Sequence, residues 1–166
     1  MKRSIAEEQS VFESTDVKIS VEGKCELGAP IGTQSFVTTY VAKKVEGWTV
    51  ELDCLCQIAC SQPQEAYSAF CHGLRGKWLY LTRTVPGISS LMRPLEDKIR
   101  NTFLPIITGQ PAPNDLMRAL LSLPARLGGL SIIDPSAEED AEYAASIRLT
   151  APLVTLIVLG ETTLGD

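Results

Sequence analysis

The chain has 166 residues, of which 45% are hydrophobic and 21% charged, and its net charge is −5. This composition excludes an intrinsically disordered chain and allows one domain with its own hydrophobic core. We find no apolar run of the roughly 18–20 residues that a membrane-spanning helix needs, and the start, MKRSIAEEQS, lacks the apolar stretch of a secretory signal. We therefore expect an intracellular protein, cytoplasmic or nuclear, with no membrane partner.

The chain begins with a predicted β-hairpin. Val17, Ile19 and Val21 alternate with polar residues, which is the period of a half-buried strand. Residues 22–24 (Glu-Gly-Lys) can turn the chain into a short second strand that ends near Leu27. Two glycines and a proline in residues 28–34 predict a break, after which Ser35 suits a helix N-cap.

Helices are predicted for the rest of the chain. Apolar residues at three-and-four spacing predict a helix over residues 36–59. Residues 63–85 predict one helix or two, interrupted by Gly73 and Gly76, and residues 89–107 predict another with Pro94 near its first turn. A short helix near 114–122 is capped by Asn114, and Ser136-x-x-Glu139 has the form of a capping box before a last helix. The prediction is a mainly α fold: a short N-terminal hairpin and a bundle of about five or six helices.

The sequence offers little for catalysis or for a metal site. The carboxylates at residues 96–97 and 138–140 fall in predicted helices, where adjacent side chains diverge, so we interpret them as solvated helix faces. The odd number of cysteines favours reduced thiols, and we interpret them as buried structural residues rather than zinc ligands. They are Cys25, Cys54, Cys56, Cys60 and Cys71. No P-loop, dinucleotide-binding or nucleophile-elbow motif occurs.

Charge is distributed unevenly along the chain. Residues 71–126 carry 8 basic and 3 acidic side chains, a net charge of +5, whereas residues 1–70 have a net charge of −4 and residues 127–166 one of −6. Trp78 and Tyr80 lie among the basic residues of the middle segment. This segment could bind phosphate groups, with Tyr80 on a sugar or base, or it could be ordinary solvated helix surface around a buried Trp78.

Four strings occur in an order that resembles a known family. They are LGAPIGTQSFVTTYVAKKVEGW, IACSQPQEAYSAFCHGLRGKWLYLTRTVPG, MRPLEDKIRNTFLPIITG and LPARLGGLSIIDPS. Together they resemble the region after the palm in retrotransposon-type reverse transcriptases, which are RNA-directed DNA polymerases of mobile elements. The similarity covers about residues 23–156, and the ending TLIVLGETTLGD does not follow the pattern.

The resemblance implies a division into an end-of-palm hairpin and turn (1–34), thumb-like helices (35–109) and a connection-like helical segment (110–166). The family's metal-binding palm aspartates, including the YxDD-type pair, precede this region, and the sequence has no such motif. Any Mg²⁺ would therefore belong to the missing palm, and we expect no cofactor in this chain and no activity of the chain alone. The implied partners are an RNA–DNA or DNA duplex and the remainder of the polymerase.

The resemblance also implies site residues. Leu27 and Gly28 match the turn that supports the primer strand, and the duplex contacts expected from charge and context are Lys43, Lys44, Lys77, Arg83 and Arg93. Two other hypotheses stay open: a stand-alone helical protein-interaction module, and a translated remnant of a mobile element without a selected function. A remnant would expose apolar surface on the hairpin and would be poorly soluble.

Overall fold

The fold is mainly helical after a short N-terminal hairpin, which confirms the predicted class. The computed structural model describes Thr15 and residues 19–160. The hairpin pairs β1 (Gly23–Glu26) with β2 (Ala29–Gly32) in antiparallel register, with Glu26 opposite Ala29. Five helices follow: α1 (Gln34–Ala59), α2 (residues 63–84), α3 (residues 89–108), α4 (Asp115–Ser122) and α5 (Glu139–Leu159).

The hairpin turns at Leu27 and Gly28, so the predicted turn at residues 22–24 and the predicted break at 28–34 are wrong. Both residues have positive φ, 49° and 89°, as a type I′ hairpin turn requires. Of the predicted first strand, Val17 lies outside the described residues, and Ile19 and Val21 are not in a strand. Leucine is an unusual residue at a positive φ, so local residue preferences did not indicate this turn, although the resemblance implied a turn at Leu27 and Gly28.

α1 is the central helix, and its predicted apolar stripe is confirmed. Val41, Val45, Trp48 and Leu52 are all buried in the core that α1 shares with α2 and α3. The predicted cap at Ser35 is wrong, because the helix starts at Gln34, two residues earlier than predicted. The hydroxyl of Thr33 accepts a hydrogen bond from the backbone N–H of Phe36 and caps it.

α2 and α3 each contain one π-helical turn. In α2 the α-helical parts Pro63–Ala69 and Arg75–Thr84 flank the π turn Phe70–Leu74, so the segment is one continuous helix. In α3 the parts Ser89–Lys98 and Leu104–Thr108 flank Ile99–Phe103. Phe70 and Phe103, one from each π turn, are fully buried and stack with ring centroids 4.8 Å apart.

The capping predictions in the C-terminal half have mixed outcomes. The side chain of Asn114 accepts from the N–H of Met117 and caps α4, as predicted. The capping box at Ser136 is wrong, because α5 begins only at Glu139, whose side chain accepts instead from the backbone N–H of Gly87. Pro94 is also misplaced by the prediction, since it lies inside α3 rather than near its first turn.

An irregular segment, residues 130–132, ties the C-terminal half to the helical core. Three consecutive carbonyl groups, of Leu130, Ser131 and Ile132, accept hydrogen bonds from the side chains of Tyr67, Arg75 and Arg118, at 2.7, 3.0 and 2.6 Å. The side chain of Ile132 is fully buried. The segment fixes the position at which the chain enters α5.

α5 packs against α2 only through its start, and its later turns are exposed. The exposed apolar side chains are Ile147, Leu149, Leu153, Val154, Ile157, Val158 and Leu159. By length and composition this 21-residue helix could cross a membrane, with an 18-residue window of mean hydropathy 1.4 of which no part is buried. The prediction that the chain has no apolar stretch of this length is therefore wrong. Length and composition alone do not distinguish a membrane span from a helix that packs on protein.

Candidate nucleic-acid interface

The tip of the hairpin lies against two tyrosines, one from α1 and one from α2. The hydroxyl of Tyr40 donates a hydrogen bond to the carbonyl of Gly28 at 3.2 Å. A Cβ atom added to Gly28 would lie 3.5 Å from the ring of Tyr80, an ordinary van der Waals distance, so the turn lies against this ring. The side chain of Leu27 is 95% exposed and points away from the core. The two helices thus support the turn while its apolar tip faces solvent.

A shallow groove of about 450 Å³ runs along α1 beside the hairpin. Its lining residues are Tyr40, Lys43, Lys44, Gly47, Trp48 and Glu51. Their three-and-four spacing places them on one face of the helix. The ammonium group of Lys44 lies 5.5 Å from the centroid of the Tyr40 ring, a cation–π contact.

Lys77 of α2 binds Glu51, one of the residues that line this groove. Its Nζ atom lies 2.5 Å from Oε2 of Glu51, and both side chains are half-exposed. Tyr80 lies three residues after Lys77 and therefore on the same face of α2. The "hairpin–lysine surface" is defined here by eight residues: Leu27, Gly28, Tyr40, Lys43, Lys44, Glu51, Lys77 and Tyr80.

Five of the seven site residues expected from the sequence belong to the hairpin–lysine surface, and two do not. Arg83 binds Glu142 of α5, with Nε and Oε2 2.8 Å apart, and so lies where α2 meets α5. Arg93 is an exposed residue of α3. α3 meets α1 through an ion pair between Lys98 and Asp53. Asp53 lies two residues after Glu51 and therefore about 200° around α1 from it.

Tyr40, the tyrosine under the hairpin tip, has a raised pKa. Its hydrogen bond with the thiol of Cys25 and then its burial raise the pKa of Tyr40 to about 12. The phenol is therefore neutral at physiological pH and remains a hydrogen-bond donor to the turn. Sequence reasoning missed both Tyr40 and Glu51, although the spacing of Tyr40, Lys44, Gly47 and Glu51 is a helical stripe that could have indicated them.

The other candidates from the sequence have different roles. Glu96 is buried and binds Arg118, and Glu139 is buried at the start of α5, so the interpretation of both as solvated residues is wrong. Glu96 therefore does not pair with Arg100, which binds Asp115 at 2.7 Å. Of the cysteines only Cys56 is buried, and Cys25, Cys54 and Cys60 are exposed, contrary to expectation. Within residues 19–160, no group of three or more His, Cys, Asp or Glu side chains could hold a metal ion.

A cavity of about 670 Å³ lies between α4 and the segment that leads into α5. Its charged lining residues are Arg75, Arg100, Arg118, Asp115, Asp134 and Glu138. The three positive and three negative charges balance, and most of these groups bind each other or the backbone. This balance gives the cavity no preference for an anion, whereas the hairpin–lysine surface has three lysines and one glutamate.

Comparisons with protein-family models, with curated proteins and with solved structures find no match to this chain.

Proposed function

We propose that the chain is a thumb-like and connection-like piece of a retroelement reverse transcriptase that binds template–primer duplex through the hairpin–lysine surface. The observation that carries the proposal is the convergence of the hairpin turn with Lys43, Lys44 and Lys77 on one surface. Ammonium groups bind phosphates without reading sequence, and this is what a polymerase needs from a duplex-binding element. The exposed Leu27 and Tyr80 would contact the sugar or base edges between the phosphates.

The chemistry of polymerisation would lie outside this chain. Two-metal nucleotidyl transfer needs carboxylates that converge on ions about 3.5–4 Å apart. The acidic side chains of residues 19–160 form no such group. In this proposal the palm supplies the Mg²⁺ site, and this chain contributes binding alone.

The test is a titration of the purified chain with a fluorescent RNA–DNA hybrid across a salt series. Each phosphate contact contributes about −0.9 to the slope of log K against log salt, so three lysines predict a slope of about −2 to −3. The double variant Lys43→Ala, Lys44→Ala should reduce the slope by about 2. A matched control is Arg93→Ala, Arg126→Ala, which removes two exposed positive charges outside the surface. A flat titration at low salt, or an equal effect of the two double variants, would contradict the proposal.

A stand-alone interaction module is the second candidate, and exposed apolar residues favour it. Leu116, Met117 and Leu120 of α4 are exposed, as are most apolar residues of α5. Arg83 and Arg93 also lie on other faces than the lysines, which is the scatter this hypothesis expects. Leu27 and Ile31 are exposed on the hairpin, and Val21 is exposed just before it, as expected for the remnant hypothesis. Absence of duplex binding together with a soluble, cooperatively unfolding monomer would favour the interaction module, and poor solubility would favour the remnant.

A further inference from the structure

The hairpin–lysine surface contains one acidic residue, and it holds one of the three lysines. Glu51 lines the groove on α1 together with Lys43 and Lys44, and its Oε2 atom is 2.5 Å from Nζ of Lys77. The side chain of Lys77 is 49% exposed and that of Glu51 is 47% exposed. Both groups are therefore accessible to a ligand that enters the groove.

The position of Glu51 creates a competition. A nucleic-acid phosphate that binds Lys77 must approach the carboxylate of Glu51, which repels it and which already accepts from the same ammonium group. An exposed ion pair of this kind is weak, so a phosphate that also contacts Lys43 and Lys44 can displace it. We propose that Glu51 is an internal competitor of nucleic-acid phosphate, which holds Lys77 in the free protein and releases it when duplex binds.

This inference rests on the proposed function and adds that Glu51 weakens duplex binding at the same surface. The opposite role is that Glu51 positions Lys77 for the phosphate and keeps the ion pair in the complex. The two roles predict opposite effects of removing the carboxylate. Competition predicts tighter binding, whereas positioning predicts weaker binding because Lys77 would lose its orientation.

The experiment compares Glu51→Gln with Glu46→Gln in hybrid binding at low salt. Glu46 is an exposed residue of the same helix that does not line the groove, so its substitution changes net charge equally without touching Lys77. We expect Glu51→Gln to bind about 2–5-fold more tightly than wild type, the range that corresponds to an exposed ion pair. Glu46→Gln removes an equal charge but leaves the ion pair between Glu51 and Lys77 in place, so it should change affinity less than Glu51→Gln does.

A double-mutant cycle gives a second readout. If the ion pair breaks on binding, Lys77→Ala costs more affinity in the Glu51→Gln background than in wild type, because there Lys77 gives up no partner to bind the phosphate. A smaller cost in that background, or equal affinities of Glu51→Gln and Glu46→Gln, would overturn the inference while leaving duplex binding in place. Absence of binding by the wild type and all variants would overturn the proposed function as well. Circular dichroism spectra that match wild type would exclude misfolding of these surface variants.

Discussion

Arg118 is the residue on which the C-terminal half of the fold most depends. Its side chain is 4% exposed and binds both carboxylate oxygens of Glu96 at 2.6 Å. The remaining Nη atom donates to the carbonyl of Ile132 and to the hydroxyl of Ser122. One guanidinium group thus joins α3, α4 and the irregular segment before α5.

Arg118→Ala should destabilise the protein by about 3–5 kcal/mol, because it leaves the carboxylate of Glu96 buried without a partner. Urea unfolding followed by circular dichroism measures the change. Arg126→Ala, at an exposed position, is the control and should stay within about 0.5 kcal/mol of wild type. The double variant Glu96→Leu, Arg118→Met should be more stable than Arg118→Ala, and a less stable double variant would contradict this account.

A second buried carboxylate belongs to Glu139, which is 1% exposed and has no hydrogen-bond partner for Oε2. Burial raises the pKa of Glu139, and the hydrogen bond from the backbone of Gly87 offsets this only in part. The folded state therefore holds the proton more tightly than the unfolded chain does. The stability due to this group is complete below its ordinary pKa and is lost as the pH rises through the raised pKa.

Glu139→Gln should remove this dependence on pH, since an amide can accept from Gly87 but does not ionise. We expect wild type to lose stability relative to the variant as the pH rises above the ordinary pKa of a glutamate, about 4.3. Thermal unfolding of both proteins at several pH values checks this. The control is Asp140→Asn, which removes a charge from the neighbouring exposed position. It should keep the dependence of stability on pH, because Glu139 can still ionise in this variant. A difference between wild type and Glu139→Gln that stays constant with pH would contradict the prediction.

At the scale of elements, the hairpin has a backbone conformation at Leu27 that a leucine side chain disfavours. Leu27 has a φ of 49°, a region that bulky residues seldom occupy and that costs of order 1–3 kcal/mol. Asparagine followed by glycine is the pair that a type I′ turn favours. An exposed leucine at this position gains no packing within the described part of the chain, and the proposed function gives it a contact with the duplex.

Leu27→Asn should therefore stabilise the protein by about 1 kcal/mol and weaken binding to the hybrid. Chemical unfolding and the hybrid titration measure the two effects on the same preparation. Ile31→Thr, which removes a different exposed apolar side chain from the hairpin, should leave binding unchanged. If Leu27→Asn binds as tightly as wild type, the turn has no part in the interface.

The helices were predictable because their signal is local, whereas the partners of buried charges were not. The stripe of Val41, Val45, Trp48 and Leu52 follows from spacing alone. The pair of Glu96 with Arg118 joins residues 22 apart in sequence, and no local pattern indicates it. Likewise the sequence supplied the lysines of the candidate interface but not their arrangement, because Lys77 meets Glu51 only when α2 packs on α1.

For the whole molecule, the distribution of apolar surface is the dominant feature. Leu149 and Ile157 of α5 are each 79% exposed, and Leu116 of α4 is 73% exposed. Exposed apolar surface of this extent marks a place of contact with another molecule or of self-association. The core of α1, α2 and α3 does not need α5 beyond its first turns.

The isolated chain should therefore self-associate as its concentration rises. Leu149→Glu, Ile157→Glu should shift it towards monomer without changing the free energy of unfolding, because neither side chain is buried. Sedimentation velocity over a concentration series measures the effect. Ala145→Glu adds charge at an exposed position of α5 without removing a large apolar group, and it should change association little. A monomeric wild type at all concentrations would contradict the prediction.

The π turn in α2 has a consequence for the candidate interface. Such a turn amounts to a one-residue insertion in an α-helix, and each residue advances a helix by about 100°. Deletion of one residue within Phe70–Leu74 would restore a regular helix and rotate everything after it by that angle. Lys77 and Tyr80 would then leave the face that meets α1, while the apolar spacing before the turn stayed the same. The register of the interface is thus encoded in a single extra residue of the π turn.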